Sequence, residues 1–177
     1  MTRLISLTLA AAMLAAVPVA ARTITVRTDR DVVQVSAPGK ARCMATPAAE
    51  NAAAARFTTT RRAGQSLRPV RPNARLAQAA AKHACDMAQR GLMAHHGSRT
   101  TGPAQRVKAA GYRPSITAEN IAAGPFDIGQ VLGIWNQSPG HLKNILIPQV
   151  SDYGIGKAIG ADGKTVFWAA IYAAPKR

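Results

Sequence analysis

Acidic residues are scarce in this chain. The 177 residues contain 8 Asp and Glu against 23 Lys and Arg, a formal net charge of +15 at pH 7. Aromatic residues make up only 5%, and arginines do not alternate with them as they do on many nucleic-acid-binding surfaces. The sequence therefore does not favour nucleic acid as a partner. The charge fits an anionic lipid or polymer of the cell envelope, or simply a solvated basic surface.

Long apolar runs are also few. Leu4–Val17 follows the positive charge of Arg3 and precedes the small residues Val19, Ala20 and Ala21. This pattern predicts a signal peptide over residues 1–21, cleaved after Ala21, with an uncleaved anchor as the alternative. The run is shorter than the about 20 residues that a membrane span needs, and no later run is longer. We therefore expect an exported chain, periplasmic or extracellular, without a transmembrane segment after cleavage.

Cysteine is limited to Cys43 and Cys85. Export to an oxidising compartment would allow them to pair. A disulfide across this loop would stabilise the fold by roughly 3–4 kcal/mol, mainly by restricting the unfolded chain. The alternative is two free thiols, with Cys85 buried and Cys43 exposed. We predict the disulfide.

The length indicates one domain, preceded by a basic segment at residues 22–45. This segment has two short alternating runs, Thr23–Arg27 and Val32–Ser36, which predict either a hairpin or an irregular arm. The segment that follows them, Ala37-Pro38-Gly39-Lys40, predicts a break in regular secondary structure. We expect the domain itself to occupy residues 46–177.

Capping residues predict several helices. Thr46-Pro47 begins one that ends near Ala63, and Asn73 begins a better one that ends at Gly91. The second has an apolar stripe on which His83 lies. A lone histidine on such a face is more often a hydrogen-bonded core residue than a ligand. Three shorter helices are predicted over residues 105–110, after Asp127 and after Ser138.

A hairpin is predicted at the end of the chain. Its strands, Tyr153–Ile159 and Thr165–Ala173, flank an Asp162-Gly163 turn signal. The second strand is apolar on both faces, so we expect it to be central, with helices on either side. Helices followed by a hairpin predict an α+β fold. Residues 117–123 form a further β-like segment around Glu119.

Three dispersed polar residues are the candidates for chemistry: His95, Glu119 and His141. The chain has only two glutamates, and Glu119 lies within an apolar segment. Neutral imidazoles and a carboxylate are suitable ligands for zinc or another divalent cation. His95 and His96 are adjacent and cannot both point the same way, so at most one of them belongs to a given site.

Several motifs carry a family resemblance. The chain resembles a bacterial member of the CAP superfamily (cysteine-rich secretory proteins, antigen 5 and pathogenesis-related 1), also called SCP domains. The matching segments are Met93–Ser98, Ala118–Ala122, and Trp135 with Ser138–His141 and Asn144–Leu146. The resemblance covers about residues 46–174 and implies a single-domain, three-layer α-β-α sandwich around a small antiparallel sheet.

The same resemblance implies a site. Members of the family place two histidines and two acids around a cavity, and some bind zinc there. Carried over, these are His95, His141 and Glu119, whereas the second acid is missing. Many bacterial relatives have Gly-Ser-Asp-Gly where this chain has Gly97-Ser98-Arg99-Thr100. An arginine there would repel a cation.

Three functions remain open at this point. The leading one is an exported, monomeric binding protein for a lipid-like or anionic envelope ligand. The second is a metal-assisted hydrolase of envelope polymer or peptide, with Glu119 as general base. The third is a structural domain in which Glu119 and His141 form a buried hydrogen-bonded pair.

Overall fold

The computed structural model describes residues 32–176, in which five helices and seven strands are found. The helices are α1 (Ala48–Ala63), α2 (Ala74–Arg90), α3 (Pro103–Ala109), α4 (Ile128–Gln137) and α5 (Pro139–Ile145). The strands are β1 (Val33–Gln34), β2 (Arg42–Cys43), β3 (Arg71–Pro72), β4 (Leu92–Met93), β5 (Pro114–Gly124), β6 (Asp152–Ile159) and β7 (Val166–Pro175). No helix in this part of the chain is long and apolar enough to cross a membrane. The predicted signal peptide and the predicted strand at 23–27 lie outside the described residues.

The main sheet has the strand order β2-β6-β7-β5, and β3 adds a short parallel pairing to β6. β7 is central, as predicted from its two apolar faces. Successive side chains of a strand point to opposite faces. Phe167, Ala169 and Ile171 accordingly join a core with α2, whereas Trp168 and Tyr172 join a core with α1, α4 and α5. The α+β, three-layer α-β-α prediction is therefore confirmed.

Helix α2 forms the main contact on one face of the sheet. The Asn73 side chain accepts hydrogen bonds from Arg75 N at 3.0 Å and Leu76 N at 3.3 Å, and Gly91 ends the helix in the left-handed region, at φ 66°. Both ends were predicted. The helix lies unusually close to β6, because a Cβ on Gly156 would be 2.2 Å from Ala81 N.

The start of α1 differs from the prediction. The Thr46 hydroxyl does not cap this helix but donates to Ile155 O on β6, at 2.7 Å, and the helix begins after Pro47. The Thr46 hydroxyl therefore binds a carbonyl of β6 and not the backbone of α1. Asp127 does cap α4, in a capping box with Gln130, as predicted. Ser138 precedes α5 without a side-chain cap hydrogen bond.

The described part of the predicted basic arm is attached to the domain. β1 pairs with β4, and β2 pairs with β6. Cys43 and Cys85 form a disulfide that joins this segment to α2, which confirms the predicted bond. The division between residues 45 and 46 stays a prediction.

One arginine of α1 is fully buried. Arg62 donates from Nε to Arg68 O at 2.8 Å and from Nη1 to Ile145 O at 2.7 Å. Its Nη2 also donates to Val150 O at 3.2 Å. Burial, and secondarily the charge of Arg68, lowers the pKa of this guanidinium. The side chain thereby ties α1 to the end of α5.

Candidate functional site

Glu119 lies on β5 and is only 4% exposed. It shares a face of the strand with Ile121 and Ala123, which pack in the core beneath α2. The carboxylate therefore points toward the layer of α2 and α3. A buried carboxylate needs hydrogen-bond donors or a counter-charge, since burial of an unpaired charge is very costly.

Each oxygen of Glu119 has a donor. His95 Nδ1 lies 2.9 Å from Oε1, and Arg106 Nη2 lies 2.5 Å from Oε2. His83 Nε2 is 3.7 Å from Oε1. The carboxylate is thus surrounded by one guanidinium and two imidazoles, from α2, the following loop and α3.

This environment lowers the pKa of Glu119. Burial alone would raise it, but the hydrogen bond from His95 opposes that effect. The charges of His83, Arg106 and His95 oppose it further. The group is therefore ionised at neutral pH and is a weak base.

Arg106 also holds the loop that carries His95. Its Nη1 donates to His95 O at 3.0 Å and to Thr100 Oγ1 at 3.1 Å. The arginine side chain is 6% exposed, while that of His95 is 30% exposed. His95 is therefore much more exposed to solvent than Arg106.

His83 is a buried, hydrogen-bonded residue, as predicted. It is 1% exposed, and its Nε2 lies 3.0 Å from Ala94 O. Burial is the main cause that lowers its pKa to about 4, although Glu119 acts in the opposite direction. The sequence did not predict its contact with Glu119. An apolar stripe on a helix indicates which residues are buried but not which residues of other elements face them.

The segment containing His141 is fastened to β5 by amides. Asn120 Nδ2 donates to His141 O at 3.2 Å, and Asn144 Nδ2 donates to Asn120 Oδ1 at 2.8 Å. Asn144 Nδ2 also lies 3.1 Å from Glu119 O. The His141 ring packs at 6.4 Å from the ring of Trp135. These contacts connect α4 and α5 to the strand that carries Glu119.

The predicted metal ligands do not form a ready metal site. His95 and Glu119 are in contact. Across residues 32–176, however, no three His, Cys, Asp or Glu side chains form a group that could hold a metal ion. Arg106 takes the place next to Oε2 where a cation would bind, and its positive charge would repel one. The donor set does not fit a resident divalent ion. The zinc binding that the family resemblance implies is a question for titration.

Arg106 is the site residue that the sequence did not single out. The arginine expected near the site was Arg99, which is exposed. The chain has 23 basic residues, and a short helix at 103–109 gives no periodicity that would mark one as buried. The only available signal was the buried carboxylate itself, which requires a counter-charge.

Comparisons with known proteins identify relatives of this chain. The profile of the cysteine-rich secretory protein family, CAP, matches residues 55–172, more than half of the chain. An uncharacterized protein YkwD from Bacillus subtilis (strain 168) is 30% identical over 100 residues, which are 56% of this chain and 39% of that protein. This chain thus spans less than half the length of that relative.

Solved structures share the fold. An outer surface protein from Borrelia burgdorferi aligns with a TM-score of 0.65 at 17% identity, covering 78% of this chain and 99% of that one. An extracellular SCP-domain protein from Bacillus anthracis str. Ames aligns with a TM-score of 0.61 at 23% identity, covering 68% and 39%. At these identities the likeness concerns the fold alone. The profile match over residues 55–172 establishes that the chain belongs to the CAP family of cysteine-rich secretory proteins.

Proposed function

We propose that this protein is exported and binds an amphiphile with an apolar chain and an anionic head group, without converting it. The observation that carries the proposal is an apolar cleft of about 840 Å³ between residues 43–52 and α2. Ligand pockets are commonly about 300–1,000 Å³ in volume. We refer to it below as the apolar cleft.

The apolar cleft results from small side chains. Ala48 and Ala52 of α1 face Ala77 and Ala81 of α2 across it. Alanines leave space that larger aliphatic residues would fill. The lining offers an acyl chain apolar contact, worth about 25 cal/mol for each Å² of apolar surface removed from water.

Charge complementarity supports an anionic head group. Lys82, an exposed residue of α2, also lines the apolar cleft. The net charge of +15 adds a field that attracts anions to the whole molecule. A fatty acid or an anionic lipid fits both features.

The hydrolase alternative receives less support. Glu119 is buried, and both of its oxygens already accept hydrogen bonds, from His95 and Arg106. A general base near neutral pH needs a raised pKa, whereas the pKa of Glu119 is lowered. Turnover of wall polymer that is lost in Glu119→Gln would overturn the binding proposal.

Fluorescence titration with cis-parinaric acid tests the apolar cleft. We expect saturable binding to the wild type, and at least about tenfold weaker binding to Ala52→Phe, whose ring would occupy the cleft. Ala53→Phe is the matched control, because Ala53 is exposed on the same helix and does not line the cleft. Equal affinity in the two variants, or no binding to the wild type, would contradict the proposal.

Calorimetric titration with zinc tests the metal alternative in the same protein. Because Arg106 is paired with the Glu119 carboxylate, we expect no stoichiometric zinc binding. Heat in the wild type that disappears in both His95→Ala and His141→Ala would instead support a divalent site.

A further inference from the structure

A second cavity lies on another side of α2. It is bounded by α2, residues 97–100 and α3, and has a volume of about 290 Å³. His83 and Arg106 line it, and the same two residues contact Glu119 on their other side. We refer to it as the polar cavity. Its size suits a ligand no larger than a single sugar or a glycerol phosphate.

His83 presents a hydrogen-bond acceptor to the polar cavity. A carbonyl oxygen can only accept, so Nε2 carries the hydrogen in its bond to Ala94 O. In the neutral ring Nδ1 is then an acceptor. Within residues 32–176 this buried atom has no hydrogen-bond partner, and it lies 3.7 Å from where a Cβ on Gly97 would be. A buried acceptor without a donor is unfavourable, and a ligand hydroxyl that donates to it would remove this cost.

Gly97 keeps the space beside this acceptor open. A Cβ at that position would lie 2.6 Å from Thr100 Oγ1 and 3.3 Å from Asp86 Oδ2. A side chain here would require the Thr100 hydroxyl to move, and that hydroxyl already accepts a hydrogen bond from Arg106 Nη1 at 3.1 Å. The absence of a side chain leaves the His83 ring in reach of a ligand.

The charges around the polar cavity favour an anion. Asp86 is paired with Arg90 at 2.7 Å, and Arg106 is paired with Glu119. Lys82 and Arg99 also line the cavity and are exposed. The two acids are thus balanced, and the two exposed cations add a net positive charge. Lysine and arginine together are well suited to bind a phosphate dianion.

We propose that the polar cavity binds a phosphorylated polyol, with a ligand hydroxyl donating to His83 Nδ1 and the phosphate contacting Lys82 and Arg99. Glycerol phosphate is the smallest compound of this class and serves as the probe. It occurs free, as a phosphate monoester, and in the head group of phosphatidylglycerol, as a singly charged phosphodiester. The two sources share an anionic phosphate next to glycerol hydroxyls. The two cavities share Lys82 at their rims. The proposal uses none of the alanines that form the apolar cleft, and His83 and Arg99 line only the polar cavity.

Calorimetry with sn-glycerol 3-phosphate and methyl phosphate tests the proposal. Methyl phosphate has the anion but lacks the polyol hydroxyls, so we expect it to bind the wild type at least about tenfold more weakly. His83→Leu removes the acceptor and should abolish this difference. The wild-type comparison stands by itself if that variant does not fold. Equal affinities for the two compounds, or no binding of glycerol 3-phosphate at millimolar concentration, would overturn the proposal.

A second experiment changes an exposed residue that lines the polar cavity. Arg99→Gln should weaken glycerol 3-phosphate binding about tenfold, while Lys108→Gln should leave it unchanged. Lys108 is exposed on α3 and does not line the polar cavity. Equal weakening by both variants would show a general effect of charge and would reject the site. Ala52→Phe, which blocks the apolar cleft, should not affect this titration, so that the two proposals fail separately.

Vesicles distinguish the two sources of the ligand. Retention on phosphatidylglycerol vesicles that free glycerol 3-phosphate reverses, and that Arg99→Gln weakens, assigns the lipid head group. Binding of free glycerol 3-phosphate without any such competition assigns the free compound. Phosphatidylcholine vesicles are the neutral control.

Discussion

At the scale of single residues, Arg106 determines the character of the Glu119 site. It neutralises a carboxylate that is 4% exposed, and it holds the loop carrying His95. The resemblance to the family indicated the carboxylate and the histidines but not this partner. A site expected to hold a cation from solution therefore contains a cation from the chain itself.

Removing Arg106 should leave a buried, unpaired carboxylate. We expect Arg106→Gln to lower the free energy of unfolding by about 3–5 kcal/mol. The double variant Arg106→Gln/Glu119→Gln should lose less than the sum of the two single changes, because it removes both charges together. Urea unfolding of the wild type, the two single variants and the double variant measures this coupling, with Arg99→Gln as the exposed control. Additive losses would show that the two side chains are not coupled.

His83 predicts a dependence of stability on pH. Its pKa falls from 6.5 to about 4 on folding, first because of burial. Below pH 6.5 the unfolded chain binds a proton that the folded chain does not, so stability decreases as the pH falls. The loss approaches about 3 kcal/mol at pH 4.

The groups that face His83 act in both directions. Glu119 and Asp86 favour its protonation, and Arg106 opposes it. The lowered pKa of Glu119 adds a separate loss, which begins only as the pH falls below about 4.5. Urea unfolding between pH 7 and 5 therefore reports mainly on histidine. A His83→Gln variant with the same pH slope as the wild type would contradict this assignment.

At the scale of elements, the contact between α2 and β6 depends on two glycines. A Cβ on Gly154 would lie 2.2 Å from Ala77 N, and one on Gly156 would lie 2.2 Å from Ala81 N. Both obstacles are helix backbone, which cannot rotate away as a side chain can. The Ala-rich face of α2 and the glycines of β6 therefore form one close-packed surface.

Gly156→Ala should accordingly push α2 away from the sheet. We expect a loss of about 1–3 kcal/mol, the range for overpacking in a core. Gly133→Ala in α4 is the matched control, because a Cβ there meets nothing within 4 Å. The control should be neutral or stabilising by up to about 1 kcal/mol, since alanine favours a helix. Thermal unfolding compares the two, and similar melting temperatures would refute the close contact.

At the scale of the whole molecule, the disulfide attaches the N-terminal segment to the domain. Cys43 and Cys85 are separated by 42 residues in sequence. The segment also pairs through β1 and β2, which have two residues each, and Val35 N and Gly39 N donate to Gly91 O and Gln89 O at the end of α2. Such short ladders contribute little by themselves. The disulfide is the covalent attachment of residues 33–43 to α2, and both cysteines also line the apolar cleft.

Replacing both cysteines by serine should reduce stability by about 4 kcal/mol, the value expected for a loop of this length. The same change should weaken cis-parinaric acid binding, because the segment forms one wall of the apolar cleft. Urea unfolding with and without reductant measures the first effect. The serine variant should not respond to reductant, and an unchanged wild type under reduction would contradict the prediction.

Local sequence patterns determined much of this structure. Several features could be predicted from a few neighbouring residues. They are the helix caps Asn73 and Asp127, the helix end at Gly91 and the central position of β7, which is apolar on both faces. Family membership was similarly visible, because the Trp135–Leu146 motif is contiguous. Thr46 shows the limit of such patterns, since its hydroxyl bonds a strand more than a hundred residues away.

Only the tertiary structure decided which polar groups meet. Arg62 and Arg106 are buried, whereas other arginines of similar local context are exposed. The placement of a charge depends on what faces it across layers, and composition and periodicity do not contain that information. The sequence by itself determined the family and the layers, and it placed Glu119 within an apolar segment. The fold decided that this carboxylate pairs with an arginine and that cavities open on both sides of α2.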